Sequence, residues 1–192
     1  MLSRQWIYKW RGSALAVLSV VSILFGRPSV YSLFLGSCFG LLGECLRFWA
    51  IGFTGGPTRG IALEAPRLVS AGPYAYLRNP LYLGNLLNGM AVAVAGSGHL
   101  SPGLAALVLA TSTLMLWAFY RVIIGLEEQF LGDSFPNEYP AYCLAVPRLL
   151  PRLSPAGPQQ GRFSLDRALF FEKSTFFWFL VVWTLLCLRV SQ

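Results

Sequence analysis

Gly72-Pro73-Tyr74-Ala75-Tyr76-Leu77-Arg78-Asn79-Pro80-Leu81-Tyr82-Leu83-Gly84-Asn85 is a polar, turn-rich stretch set between uncharged runs of membrane-helix length. Gly72-Pro73 and Asn79-Pro80 are turn signals, and Pro80 suits the first turn of a following helix. Asn79 is then the expected N-cap, leaving backbone N–H groups at that helix start available to a ligand. Tyr74, Tyr76 and Tyr82 add flat faces and hydroxyls, and Gly84 leaves a bare patch of backbone one turn in, where something large can approach. On residues alone, the same pattern also describes an interfacial tyrosine belt before an ordinary capped helix.

A second polar stretch follows the next apolar hairpin. Arg121 and Glu128 are seven residues apart and share a helical face provided the helix continues past Gly125. Glu127 lies about 100° from Glu128 around such a helix, so the two acids face different partners. Carboxylates near lipid are costly unless they are paired or bound to a cation. Beyond them, Glu138-Tyr139-Pro140-Ala141-Tyr142 and Val146-Pro147-Arg148-Leu149-Leu150-Pro151 predict a shaped, ordered segment. Upstream, Glu44 and Arg47 have the i, i+3 spacing of a helical ion pair. Glu172 and Lys173 are weaker candidates, since Lys173 can simply snorkel.

Composition sets the class. Of 192 residues, 55% are hydrophobic and only 12% charged, where a soluble domain carries about a quarter charged. Uncharged runs at 28–43, 81–98 and 103–120 alternate with basic, Pro- and Gly-rich connectors. Spanning roughly 30 Å of hydrocarbon takes about 20 helical residues, and helices are the form this composition can place in lipid. The expected fold is all-α: a polytopic transmembrane helix bundle of about five spans, near 13–25, 30–53, 81–95, 103–124 and 168–188. The first is short, and Trp6, Ile7, Tyr8 and Trp10 form an interfacial belt before it, so four spans with one helix in the interface is the competing count. The first apolar run lacks a small-residue cleavage site and reads as part of the bundle.

The net charge of +7 sits at the ends of apolar runs, which argues for membrane topology and against nucleic acid. With the N-terminus inside, 13 of the 15 Lys and Arg residues fall on the inner side, and only Arg27 and Arg189 fall outside. Both polar stretches then face the cytosol. Cys38, Cys45, Cys143 and Cys187 have no metal-ligand spacing and read as free thiols, with Cys38 and Cys45 expected to be buried. The lone His99 builds no metal site, so no metal is expected.

At these stretches the chain resembles the isoprenylcysteine carboxyl methyltransferase and phospholipid methyltransferase superfamily of integral membrane enzymes. The resemblance rests on G-x-Y-x-x-x-R-H-P-x-Y-x-G, matched from Gly72 to Gly84 except at Asn79, and on R-x5-E-E-x-x-L, matched by Arg121, Glu127, Glu128 and Leu131. It continues through Glu138-Tyr139, Tyr142 and Val146 to Pro151, and takes in Leu46-Arg47-Phe48-Trp49-Ala50, covering about 40–151. It implies a single membrane methyltransferase domain over 1–192, with N-terminal helices in 1–55, a cofactor and catalytic region in 56–151, and a C-terminal helix in 165–190. S-Adenosyl-L-methionine is the implied cofactor, entering from the cytosol into a pocket formed by the C-terminal half. The implied acceptor is a lipophilic carboxyl, amine or thiol arriving from the bilayer.

By position, the resemblance assigns Tyr74, Arg78, Asn79, Pro80, Tyr82, Gly84, Glu127, Glu128, Tyr139 and Arg148 to the cofactor, and Arg121 and Glu128 to catalysis. Glu127 or Glu128 is to hold the cofactor ammonium, and Arg121 or Arg148 a carboxylate. Asn79 stands where the family has His, and Phe135-Pro136-Asn137-Glu138 replaces a more usual F-G-x-E. Two other functions fit part of the pattern. One is an NADPH-dependent membrane reductase of the steroid-reductase kind, disfavoured by Leu83-Gly84-Asn85 after the tyrosine. The other is a transporter or scaffold using Glu44. Membrane lipids are the expected surroundings, no protein partner is inferred, and a prokaryotic inner membrane fits better than endoplasmic reticulum.

Overall fold

The structure is a computed structural model that describes residues 10, 12–55, 65–157 and 159–190. Among these it is all helical: α1 (Ser13–Phe25), α2 (Val30–Thr54), α3 (Pro80–Gly96), α4 (Pro102–Ser134), α5 (Tyr139–Ala145) and α6 (Leu165–Val190), with a 3-10 turn at Gly72–Ala75. Trp6, Ile7 and Tyr8 of the expected belt, and Arg4, Lys9, Arg11 and Arg59 of the charge count, lie outside the described residues.

All five expected spans form as helices. On length and apolarity, α2, α4 and α6 are able to cross a membrane, with 25, 33 and 26 residues. α1 and α3 have 13 and 17 residues, short of the roughly 20 that cross a full hydrocarbon layer. The apolar window of α6 is only 6% buried, and a surface of that kind is one that lipid covers. The same fact corrects the thiols: Cys38 and Cys45 are exposed on α2. Apolar periodicity in a membrane helix does not separate a protein-facing from a lipid-facing side, because both are apolar.

α4 runs ten residues beyond the expected end at Ile124. A mid-helix glycine costs only about 1 kcal/mol, and Gly125 is outweighed by the burial of Ile123 and Ile124 beside it. This extension carries Glu127 and Glu128 on regular helix.

The chain folds as two compact units. One comprises Gly12–Cys45, Gly84–Phe119 and Ser174–Gln192. It is closed by small residues that let helices approach. A Cβ on Gly43 would lie 2.3 Å from Asn88 Oδ1 and 2.8 Å from the Gly84 carbonyl oxygen, so α2 and α3 touch backbone to backbone there. Polar side chains inside this unit bond across helices: Asn88 Nδ2 donates to Glu44 Oε1 at 2.7 Å, Ser32 Oγ to the Ala95 carbonyl at 2.9 Å, and Trp183 Nε1 to Ser37 at 2.7 Å. Arg189 donates to the carbonyls of Leu24 and Gly26, and Arg27 N–H to Gly96. Arg27 and Arg189, counted together in the charge tally, therefore meet at one end of this unit.

The other unit contains Leu46–Leu83 and Tyr120–Lys173. Its buried ion pair joins Arg47 of α2 to both Glu172 oxygens, at 2.9 and 3.3 Å. Glu172 is fully buried. The two residues expected to pair along α2 thus each reach another helix, Arg47 to Glu172 and Glu44 to Asn88.

Two glycine variants test the packing. Gly43→Val should destabilise the detergent-solubilised protein by about 1–3 kcal/mol through overpacking. Gly125→Ala, whose added Cβ meets nothing within 4 Å, should stabilise it by about 0.5–1 kcal/mol. Thermal denaturation of both variants checks the contrast.

Candidate active site

The turn at 72–80 is built by its residue types. Gly72 has φ +61°, and a Cβ there would fall 2.2 Å from the Phe53 ring, so only glycine fits. Pro73 then starts the short helical turn, and Pro80 opens α3. The turn is laced to the chain after α5 by backbone bonds. Arg78 N–H donates to the Pro147 carbonyl at 2.8 Å, Arg152 N–H to Tyr76 at 3.1 Å, and Ala156 N–H to Ala75 at 2.9 Å. Parts of the chain some seventy residues apart in sequence are thereby held side by side.

Glu128 is the centre of this arrangement. Its side chain is 9% exposed, and three donors from two segments hold it. Arg78 Nε donates to Oε1 at 3.0 Å, Asn79 Nδ2 to the same oxygen at 3.1 Å, and Arg148 Nη2 to Oε2. Arg78 Nη1 also donates to the carbonyls of Cys143 and Val146, at 2.9 and 2.8 Å, taking up acceptors left open at the end of α5. Burial works to lower the Arg78 guanidinium, but the hydrogen bond and charge of Glu128 outweigh it and hold it above its ordinary value. A carboxylate this buried is tolerable only because it is fully paired.

Tyrosines surround the cluster. Tyr82 donates to Glu127 Oε1 at 2.7 Å and its ring lies 5.4 Å from that of Tyr120. Tyr142 donates to the Tyr74 carbonyl at 2.7 Å. The Tyr139 hydroxyl is buried without a hydrogen-bond partner. Burial first, and then nearby negative charge, raise Tyr139 and Tyr142 above the ordinary phenol value. Burial also raises Tyr74, against a hydrogen bond with Thr54 that lowers it.

Thus Arg78, Asn79, Glu128 and Arg148 are brought into direct contact, and Tyr82 is joined to Glu127. Tyr74 and Tyr139 are buried in the same unit. Gly84 belongs to the other unit, where the backbone of Gly43 approaches it. Arg121 is exposed on α4 while Glu128 is buried. The Asn79 amide nitrogen turns to Glu128 and to the Arg148 carbonyl, each at 3.1 Å. Sequence reasoning underrated Glu172, whose partner Arg47 lies 125 residues away, beyond any local spacing signal.

The family profile for phospholipid methyltransferases matches residues 31–138. The chain belongs to the phospholipid methyltransferase family. Its members are membrane methyltransferases, and the spanning-length helices fit that class. The match contains the 72–84 turn and both glutamates, and ends before Tyr139 and Arg148. Among curated proteins, the chain is 32% identical over 160 residues to the cobalt-zinc-cadmium resistance protein CzcN of Cupriavidus metallidurans, covering 80% of this chain and 67% of that protein. It is 33% identical over 93 residues to the nickel-cobalt-cadmium resistance protein NccN of Alcaligenes xylosoxydans xylosoxydans, covering 47% of this chain and 39% of that one. No solved structure matches the chain.

The buried phenols make the fold of this methyltransferase-family protein sensitive to alkali. A phenol raised in the folded state contributes stability that is intact below the unfolded value of about 10 and is lost as pH rises beyond it. Absorbance at the phenolate band, followed with helical circular dichroism, should show Tyr74, Tyr139 and Tyr142 ionising only as helix is lost. Their reversible ionisation near the ordinary value with helix intact would contradict the burial described.

Proposed function

We propose that this protein is a methyltransferase that takes its methyl group from S-adenosylmethionine at the membrane interface and passes it to a lipophilic acceptor. The observation that carries this reading is the convergence of Arg78, Asn79 and Arg148 on Glu128, four positions drawn from three motifs of the family pattern. Methyl transfer from a sulfonium is an in-line displacement, so its main demand is position, which a rigid charged cluster supplies.

The residues present suit such a cofactor. Arg148 is bound to Glu128 by one nitrogen while its side chain remains 49% exposed, and its guanidinium is the group suited to fork onto a carboxylate. Glu127, beside Tyr82, is the acid suited to an ammonium. The buried, unpartnered Tyr139 hydroxyl supplies a further polar contact. Glu128 itself acts as the organiser, because its oxygens are already engaged by three donors. When bound, S-adenosylmethionine supplies the electrophilic methyl group. The chain's residues orient it, exclude water, and, for an amine or thiol acceptor, take up a proton through Glu127 or a tyrosine.

The charge tally of 13 basic residues to 2 supports a cytosolic opening for the site. The relatives' names concern resistance to metals, yet the Glu128 cluster is poorly suited to a cation, since two guanidinium groups already face that carboxylate. Asn79, in place of the family's His, keeps an N–H donor on Glu128 and so preserves the positioning role without an imidazole.

Membranes containing the protein, incubated with methyl-labelled S-adenosylmethionine, should yield a labelled product in the lipid phase. Glu128→Gln should lower the rate about 100-fold, a loss of about 2.7 kcal/mol of transition-state stabilisation. Asn79→His should retain activity within about tenfold, a change of about 1.4 kcal/mol or less. Binding of NADPH in preference to S-adenosylhomocysteine by the purified protein would overturn the reading in favour of a reductase.

A further inference from the structure

The connector between α5 and α6 carries a pattern that the catalytic reading does not use. Leu144, Leu150 and Leu153 are 92%, 81% and 103% exposed, and Phe163 and Leu165 continue the series onto the start of α6. Arg148, Arg152, Arg162 and Arg167 are interleaved with them, against the single acid Asp166. The described residues of the segment, 144–157 and 159–165, are ordered. Its inner side is hydrogen-bonded to the 70–78 region through Pro147, Arg152, Ala156 and Gln160, and Ser164 N–H donates to Gly52. Arg152 Nη1 donates to the Ala145 carbonyl at 2.6 Å, folding the Leu150–Leu153 stretch back towards the end of α5. Leucines exposed on an ordered backbone are costly in water, at about 25 cal/mol per Å² of apolar surface.

The backbone form excludes the hydrocarbon core. The described residues between α5 and α6 are irregular, and irregular backbone facing lipid tails would leave polar groups unsatisfied. Three arginines in the same stretch, with Arg167 just inside α6, add to that cost. The remaining environment is the boundary between headgroups and acyl chains, where leucines dip inward and guanidinium groups meet phosphates. The surface also continues directly into the lipid-facing start of α6, where Leu169 and Phe170 are exposed.

We infer that the connector from Leu144 to Leu165 is an interfacial anchor that inserts its leucines into the headgroup boundary and binds anionic phospholipid through its arginines. Each basic residue near an anionic surface strengthens attachment about fivefold. Arg148 belongs both to this surface and to the Glu128 cluster, so the anchor places the proposed active site at lipid depth.

The test uses nitroxide labels on Leu150→Cys and Leu153→Cys, each in a full-length chain with its four cysteines replaced by serine. The protein is reconstituted in phosphatidylcholine bilayers with and without phosphatidylglycerol. Collisions with oxygen, which concentrates in lipid, should exceed those with a water-soluble nickel chelate at both positions, and phosphatidylglycerol should widen the difference. Chelate access equal to that of a label free in solution overturns the inference, as does a depth at the bilayer centre or indifference to phosphatidylglycerol. Should the labelled chains not fold, native mass spectrometry replaces them. The unmodified protein should retain phosphatidylglycerol at least fivefold over the Leu150→Ser/Leu153→Ser/Arg162→Gln variant, and equal retention overturns the inference. Neither readout depends on methyl transfer, so failure here leaves the enzymatic reading standing, and the reverse.

Discussion

One buried carboxylate, Glu128, ties three separate parts of the chain to a single point. It sits on α4, while its donors come from the 72–80 turn and from the segment after α5. Removing a carboxylate from water costs several kcal/mol unless charge and hydrogen bonds replace the lost hydration. The chain meets that requirement with two guanidinium groups and one amide. Meeting it constrains much else: α4 must stay helical past Gly125, the turn must be tight enough at Gly72 to aim Arg78 and Asn79, and α5 must end where Arg78 can cap its carbonyls. A charge that is expensive to bury has become the reason for local order, and the same order is what a positioning enzyme requires.

The other unit depends on the opposite kind of contact. Its helices meet through glycine, alanine and serine, with a few polar bonds between them. In lipid there is little hydrophobic drive for helices to associate, so close approach and polar bonds between helices do the holding. Glu44 and Asn88 illustrate this: the pair is a polar clasp between α2 and α3 next to the Gly43–Gly84 contact. That gives Glu44 a structural task and leaves no need to read it as a transport residue.

Much of this was legible in the chain. The helices announced themselves by their uncharged runs, and the 72–84 turn by Gly-Pro and Asn-Pro. What escaped was set by distance and by environment. Glu172 looked ordinary because its partner Arg47 is on another helix. Asn79 reads as a cap because capping is a local signal, whereas Glu128, the carboxylate its amide nitrogen reaches, is 49 residues away. The exposed Cys38 and Cys45 were misread because lipid and protein interior present the same apolar demand. Glu127 and Glu128 were separable in the sequence by angle alone; their partners, Tyr82 for one and the arginine cluster for the other, required the fold.

The most direct test of the central claim is ultraviolet crosslinking of labelled S-adenosylmethionine to the intact protein in membranes, followed by peptide mapping. Label is expected on peptides from the 72–83 turn and from 120–148, removed by excess S-adenosylhomocysteine. Label confined to the peptides carrying Glu44 and Asn88, or label that competitor does not displace, would contradict it.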